Sequence, residues 1–298
     1  TRRSSDLILF WRSLTHWIGG IGIILLVIIV LPSLKVGGYN LFSLESSLKE
    51  KIFPRTKSIA TTVLMIYLFL TVLLIVLLKV GGMSLFDSIC HAFGTVATGG
   101  FSTKNTSISG YSDYIQYVLG IFMFLSAASF VVFYFIFKKN FTRVKANEEL
   151  WFYLFFTTAA VVAVTLVLYT GSERNFEVAF RHAFFQVTST ISTTGFATTD
   201  YTLWPQVAIV IVFMLMFAGG STGSTTGGIK MARHLLTLKN LHNVTVRLLH
   251  PSAVMPVKLN GQVVPESINS LMTVFVQLYI LIFLAGMMII LLSGIPAI

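Results

Sequence analysis

The chain of 298 residues is 55% hydrophobic and only 11% charged, with a mean hydropathy of +0.83, which excludes an ordinary water-soluble globular domain. Its formal net charge of +10 is spread between apolar runs rather than gathered on a polar patch, so it reports membrane topology and not nucleic-acid binding. One cysteine, Cys90, excludes an internal disulfide and a cysteine-rich metal site. With Thr1 first and no short apolar leader, the chain reads as a segment of something longer.

Uncharged stretches long enough to cross about 30 Å of hydrocarbon occur at 14–34, 58–78, 114–137, 150–172, 201–229 and 267–298, predicting six spanning helices. Two further uncharged stretches, 88–103 and 182–199, become rich in Thr, Ser and Gly in their C-terminal halves. They are too short and too polar there to cross, and predict re-entrant segments: apolar half-helices at 85–94 and 180–189, each followed by an extended polar strand. If each re-entrant segment enters and leaves on one side, the loops 35–57, 138–149 and 230–266 share the other side. Those loops carry fourteen basic residues against five acidic ones, whereas the re-entrant side carries seven against six. The positive-inside rule then turns the re-entrant segments outward, to the extracellular or periplasmic face.

The re-entrant segments are copies of one another. Thr95 to Thr103 (TVATGGFST) matches Thr190 to Thr198 (TISTTGFAT) at an offset of 95, with five identities in nine positions. The span after each copy also matches, Phe122-Met123 with Phe213-Met214 and Ala127-Ala128 with Gly219-Gly220. The repeating unit is therefore outer helix, re-entrant pore segment, inner helix. The first span, with His16-Trp17-Ile18-Gly19-Gly20, reads as an inner helix, and the last span reads as an outer one. This divides the chain into 1–37, the inner helix of an incomplete first unit; 38–140, a second unit; 141–250, a third unit; and 251–298, a hairpin plus the outer helix of an incomplete fourth. Four such units around one axis would close a pore, so the parent protein is expected to supply the missing pore segments.

A dehydrated monovalent cation needs oxygen dipoles in place of its water shell, and backbone carbonyls of re-entrant loops can provide them. Carbonyls that point the same way require unusual backbone angles, which glycine adopts without a Cβ penalty; Gly100 and Gly195 occupy the matched positions. The candidate filter is Ala97, Thr98, Gly99 and Gly100 with Ser192, Thr193, Thr194 and Gly195. The half-helices before them would aim the negative ends of their dipoles at the ion. Asp113 and Asp200 stand just outside and could enrich cations locally, although exposed carboxylates are more often solvated loop residues. The competing structural reading of these Thr- and Gly-rich segments is a helix-packing motif of small residues.

A second unusual stretch runs through Gly219, Gly220, Ser221, Thr222, Gly223, Ser224, Thr225, Thr226, Gly227, Gly228, Ile229 and Lys230. Five glycines at about 1 kcal/mol each predict that the fifth span unwinds there. Irregular backbone at membrane depth is tolerated when it is buried in protein or faces a water path, so this loop is placed to act as a gate. A phosphate cradle fits poorly, because Ile229 stands where the P-loop lysine would be. The six histidines show no metal-ligand spacing, no nucleophile elbow accompanies any serine, and the Asn-Gly pair within 257–264 predicts a cytoplasmic hairpin.

The motifs TVATGGFST at 95–103, STTGFATTD at 192–200, GGSTGSTTGGIK at 219–230, RLLHPSAVMPVKLNG at 247–261 and THWIGGIGI at 15–23 together resemble the membrane subunit of the Trk/Ktr family of bacterial potassium-uptake proteins, nearer the Trk branch. The resemblance covers nearly the whole chain. It implies an all-α membrane protein of repeated helix, pore loop and helix units with pseudo-fourfold, potassium-channel-like symmetry. It further implies one key filter glycine per unit, an intramembrane gating loop in the third unit, a homodimer, and control by a cytoplasmic nucleotide-binding ring protein. Carried over by position, Gly100 and Gly195 are the second and third filter glycines and 219–230 is the gating loop. The family's first and fourth filters have no counterpart between Thr1 and Ile298.

The expected function is K⁺ uptake across the bacterial cytoplasmic membrane through a gated pore, with K⁺ as the transported ion, no covalent cofactor, no enzymatic chemistry and no nucleic-acid partner. One glycine per filter predicts modest discrimination against Na⁺. The alternative is a secondary transporter with broken helices working by alternating access. Such a carrier predicts charged residues buried within spans, and the six uncharged stretches contain none.

Overall fold

The computed structural model describes residues 2–26, 52–172, 175–250, 252 and 255–293. The end of the first predicted span, most of the loop expected at 35–57, the boundary between 37 and 38, and residues 294–298 lie outside the described residues.

Helix α1 (Arg2–Leu25) packs against a first set of helices: α2 (Ile52–Val80), the short α3 (Leu85–Val96), and the pair α4 (Asp113–Ala127) and α5 (Phe130–Phe137). After the five-residue α6 (Phe141–Lys145), a second set repeats the plan with α7 (Glu148–Gly171), the short α8 (Phe176–Ile191) and α9 (Gln206–Leu215). Then come α10 (Met231–Leu249), a two-stranded hairpin of β1 (Lys258–Leu259) and β2 (Gln262–Val263), and α11 (Glu266–Leu292). The result is an all-α membrane protein.

Helices α1, α2, α7 and α11 are long and apolar enough to span a bilayer by themselves. α2 and α7 are apolar on every side because both their environments are: Tyr67 and Tyr153 are buried in protein, while Phe69 and Phe155 on the same helices are largely exposed, as lipid contact permits. α3 and α8, with 12 and 16 residues, are too short to cross. Both end two residues beyond the half-helices predicted at 85–94 and 180–189. Their starts follow from side-chain caps: Ser84 Oγ accepts the Asp87 N–H at 3.0 Å, and Asn175 Oδ1 accepts that of Glu177 at 3.0 Å.

Two predicted spans are corrected. The stretch 114–137 is not one helix, because α4 and α5 meet at an angle of 92°. Neither Pro nor Gly lies at the break; Ala128 and Ser129 are simply extended, with ψ of 157° and 125°. A distant segment supplies the cause. The Ala127 carbonyl accepts the Ser221 N–H at 2.8 Å, and the Phe130 N–H donates to the Gly223 carbonyl at 3.1 Å. The Tyr153 hydroxyl donates to the Phe124 carbonyl at 2.7 Å, so the polar groups freed by the break are met inside the protein, as a membrane interior requires. The stretch 201–229 is helical only over α9, preceded by a 3₁₀ turn at Tyr201–Leu203 and followed by the non-helical segment 216–230.

The hairpin expected at 257–264 is present, with Lys258 opposite Val263 and both turn residues, Asn260 and Gly261, at positive φ as a type I′ turn demands. It closes a small cluster with Leu236 of α10 and Ile268 and Met272 of α11.

Candidate functional site

The C-terminal ends of α3 and α8 are built alike, bond for bond, at the sequence offset of 95. In α3, Thr98 N–H donates to Thr95 O at 3.1 Å and Gly99 N–H to Gly94 O at 2.7 Å. In α8, Thr193 N–H donates to Thr190 O at 2.9 Å and Thr194 N–H to Ser189 O at 2.9 Å. Both segments then use the left-handed region twice, at Thr98 (φ 54°) and Gly100 (φ 69°), and at Thr193 (φ 53°) and Gly195 (φ 87°). The glycines were expected to hold such angles. The threonines were not, since a β-branched residue there costs roughly 1–2 kcal/mol. The Thr98 hydroxyl partly offsets this by donating to Ala97 O at 2.7 Å.

The two candidate filter segments touch. A Cβ placed on Gly100 would lie 1.4 Å from the carbonyl oxygen of Thr194, so the backbone of the second copy presses directly on the glycine of the first. In the second copy Ser192 Oγ and Thr194 Oγ1 bond to each other at 2.6 Å, and both residues are buried with Gly99 and Gly100 half-buried beside them.

The non-helical segment after each candidate filter is secured to its own half-helix. His91 donates from Nδ1 to Asp87 O (2.7 Å) and bonds Ser102 Oγ through Nε2 (2.9 Å), Thr103 donates its hydroxyl to Asp87 Oδ1 (2.5 Å), and Arg12 of α1 donates to Ser102 O (2.7 Å). In the other copy the Ser189 hydroxyl donates to Phe196 O at 2.6 Å, and Phe196 is fully buried. These segments also join each other, with Ile108 N–H donating to Ala197 O at 3.0 Å.

Segment 219–230 reaches both candidate filter segments from the half-helix side. Thr225 Oγ1 donates to Val96 O at 3.2 Å and meets Thr98 Oγ1 at 3.2 Å, while Gly227 N–H donates to Thr193 Oγ1 at 2.8 Å. The two left-handed threonines are thus both contacted by the loop. Within the loop, Gly219 N–H pairs with Ile229 O at 2.8 Å and Met231 N–H with Gly220 O at 3.1 Å, which draws its ends together. Thr226 is its internal hub: its hydroxyl accepts the Gly220 N–H at 3.0 Å, bonds Ser224 at 2.8 Å, and receives Lys230 Nζ at 2.9 Å. Ser221 and Thr222 face away from the filters, Ser221 toward the α4–α5 break and Thr222 toward the buried Glu149, whose carboxylate accepts its N–H at 2.6 Å. Gly228, at φ 69°, completes the return.

Glu149 is a residue that sequence reasoning missed. It was counted among loop charges beside Glu148, one position before an apolar run, and the Asn147 cap on Leu150 N–H (2.8 Å) was the available sign that the helix starts there.

The outer carboxylates are committed to structure. Asp200 accepts the Thr202 N–H and hydroxyl at 3.0 and 2.6 Å, and these bonds hold its pKa below the ordinary carboxylate value. Asp113 pairs at 2.8 Å with Arg181, which also reaches Gln116 Oε1 at 2.9 Å and Glu177 at 3.0 Å. Arg181 is nearly buried and joins the start of α4 to α8. Its hydrogen bond is the largest influence lowering the Glu177 pKa. A depressed folded-state pKa means that this contribution is complete above the unfolded value and fades as pH falls through the folded one.

Arg181→Met is expected to destabilise the protein by about 1–3 kcal/mol, chiefly because buried Gln116 Oε1 loses its donor. Asp113 and Glu177 are half exposed and screened, so they add little. Thermal unfolding in detergent should show a midpoint lower by several degrees, with Arg181→Lys in between. An unchanged midpoint would deny the cluster any such role.

Comparison with known proteins places these features in context. The family model described as "TrkH: Cation transport protein" matches residues 1–294. The chain is 36% identical over 284 residues to a Trk system potassium uptake protein TrkH of Halomonas elongata, covering 93% of this chain and 59% of that protein. It is 36% identical over 295 residues to TrkH of Escherichia coli strain K12, covering 97% and 61%, and 34% identical over 278 residues to TrkG of the same strain, covering 92% and 57%. Among solved structures, the crystal structure of the potassium transporter TrkH from Vibrio parahaemolyticus superposes with a TM-score of 0.85 at 32% identity, covering 97% of this chain and 60% of the other. The chain thus spans about three-fifths of the length of these relatives.

Proposed function

The chain belongs to the TrkH family of cation transport proteins, and from that premise we propose that it contributes two of the filter segments and the gate of a channel-like pore for K⁺ uptake. The observation that carries this reading is the repeated turn: two half-helices end in the same hydrogen-bond pattern and the same pair of left-handed residues, Thr98 with Gly100 and Thr193 with Gly195. Two apolar half-helices point their C-terminal dipole ends at these turns, which favours a cation there. Carbonyl oxygens within 97–100 and 192–195 would replace the water shell of K⁺, and no bond is made or broken. K⁺ is the transported substrate, and no covalent cofactor is needed.

The segment 219–230 is the gate in this reading, since its Thr225 and Gly227 contact the half-helix side of both filters. The protein would sit in the bacterial cytoplasmic membrane with its pore loops outward, following the charge of its loops. A second copy and a cytoplasmic nucleotide-binding ring protein are its proposed partners. Support for a covered cytoplasmic surface comes from α10, where Leu238, Leu241, Val244 and Leu248 are exposed apolar residues on a helix outside the bilayer.

The carrier alternative would look first to Glu149, the one buried carboxylate among the described residues, which lies at the edge of a predicted span and not inside it. Its Oε1 accepts the backbone N–H groups of Thr222 and Ala232, which is a structural use of that oxygen. Planar-bilayer recording of the full-length protein in a K⁺ gradient should resolve discrete current steps, with reversal near the K⁺ potential and modest Na⁺ permeability. Saturable uptake without current steps would overturn the pore and favour the carrier.

A further inference from the structure

We propose that the Glu148–Glu149 pair at the start of α7 is a positioning node that ties the cytoplasmic hairpin and α10 to the gating loop and biases the loop toward the filters. This inference rests on the reading of 219–230 as the gate, and adds to it the residues through which a cytoplasmic event would reach that gate.

The two neighbouring carboxylates serve different elements. Glu149 is 2% exposed, and its Oε1 accepts the N–H of Thr222 in the loop at 2.6 Å and that of Ala232 in the first turn of α10 at 3.2 Å. No side chain of α10's own N-cap residue, Lys230, performs this capping, so the acceptor arrives from another helix. A buried carboxylate is costly unless hydrogen-bonded, and Thr222 supplies its shorter bond. Movement of the loop away from the filters, three residues on at Thr225, would strip that bond and leave a buried carboxyl oxygen short of a donor. The node therefore favours the loop position seen here.

Glu148 faces the hairpin. Its backbone N–H donates to Asn260 Oδ1 at 2.8 Å, and its carboxylate pairs with Lys239 of α10. Lys239 Nζ also donates to the Lys258 carbonyl at 2.7 Å. The hairpin turn, α10 and the first turn of α7 are thus joined at Glu148, one residue from the group that holds the loop. A partner displacing the hairpin or α10 would pull on this turn, and Glu149 would carry the displacement to Thr222.

The test is single-channel recording of the full-length protein carrying Glu149→Ala, Glu149→Gln or Asn260→Ala, beside a deletion of residues 223–227 and with thermal unfolding of each variant. The expected result is an open probability raised about tenfold or more by Glu149→Ala. Unitary conductance and ion preference should not change, because the filters are untouched. Glu149→Gln, which keeps one acceptor oxygen, should fall between, and Asn260→Ala should raise open probability less. If the deletion raises flux and Glu149→Ala does not, the node is overturned while the gate stands. If neither does, the gate fails and the node with it. A Glu149→Ala effect with none from Asn260→Ala removes the hairpin arm, and loss of conductance in step with lost thermal stability reduces Glu149 to a folding residue.

Discussion

Gly100→Ala is expected to abolish ion permeation, and to do so more completely than the matched change Gly195→Ala. Both positions lie at left-handed φ, 69° and 87°, where an added Cβ costs roughly 1–2 kcal/mol. That cost alone corresponds to a factor of about 5–30 in any equilibrium it opposes. The positions differ in what the Cβ meets. At Gly195 no atom of the described residues lies within 4 Å, whereas at Gly100 the Thr194 carbonyl oxygen would be 1.4 Å away. A flexible side chain could swing aside, but this neighbour is backbone, and it belongs to the other filter segment. The two segments must separate by more than an ångström, and in the proposed pore carbonyl oxygens moved that far would no longer form one cage. ⁸⁶Rb⁺ uptake into proteoliposomes holding the full-length protein checks the ranking: Gly100→Ala near background, and Gly195→Ala reduced by about 5–30-fold with altered Rb⁺ against Na⁺ preference. Wild-type uptake by Gly100→Ala would show that the ion path lies elsewhere.

The repeat that locates these glycines was legible because it is local. A half-helix, a turn and a polar segment recur at a fixed offset, and apolar runs marked α1, α2, α7 and α11, whereas the charged 19-residue α10 had no such mark. What could not be read were the features created by residues far apart in the chain. Thr98 and Thr193 adopt left-handed angles that threonine disfavours, and they meet Thr225 and the Gly227 N–H of a distant segment. The α4–α5 break has no Pro or Gly to announce it, since Ala127 and Phe130 find their partners at Ser221 and Gly223. Glu149 looks like a second loop charge until α10 and the loop close over it. Asp113 looks like a free vestibule carboxylate until Arg181 arrives from α8. In each case composition fixes the residue type, and tertiary contact decides its use.

Deleting residues 223–227 should raise flux, because the deletion removes the part of the loop that touches the filters and spares the part that closes the loop. Three contacts are lost at the filters: Thr225 to Val96 O, Thr225 to Thr98, and Gly227 to Thr193. At a net 0.5–1.5 kcal/mol each, they bias the loop toward its seat by about 1.5–4.5 kcal/mol, or roughly 10- to 1000-fold in population. The pairings of Gly219 with Ile229 and of Gly220 with Met231 lie outside the deleted residues, so the cut ends are already held close. The Phe130 N–H would lose the Gly223 carbonyl, and the Gly220 N–H and Lys230 Nζ would lose Thr226, which add some destabilisation within the loop and near the α4–α5 break. Thr225→Val separates these effects, since it keeps the loop's length and removes only the hydroxyl. ⁸⁶Rb⁺ uptake should rise tenfold or more for the deletion and by a smaller factor for Thr225→Val, with unchanged ion preference in both. If uptake instead falls for Thr225→Val while the protein melts at its usual temperature, the loop is part of the conduction path rather than its gate.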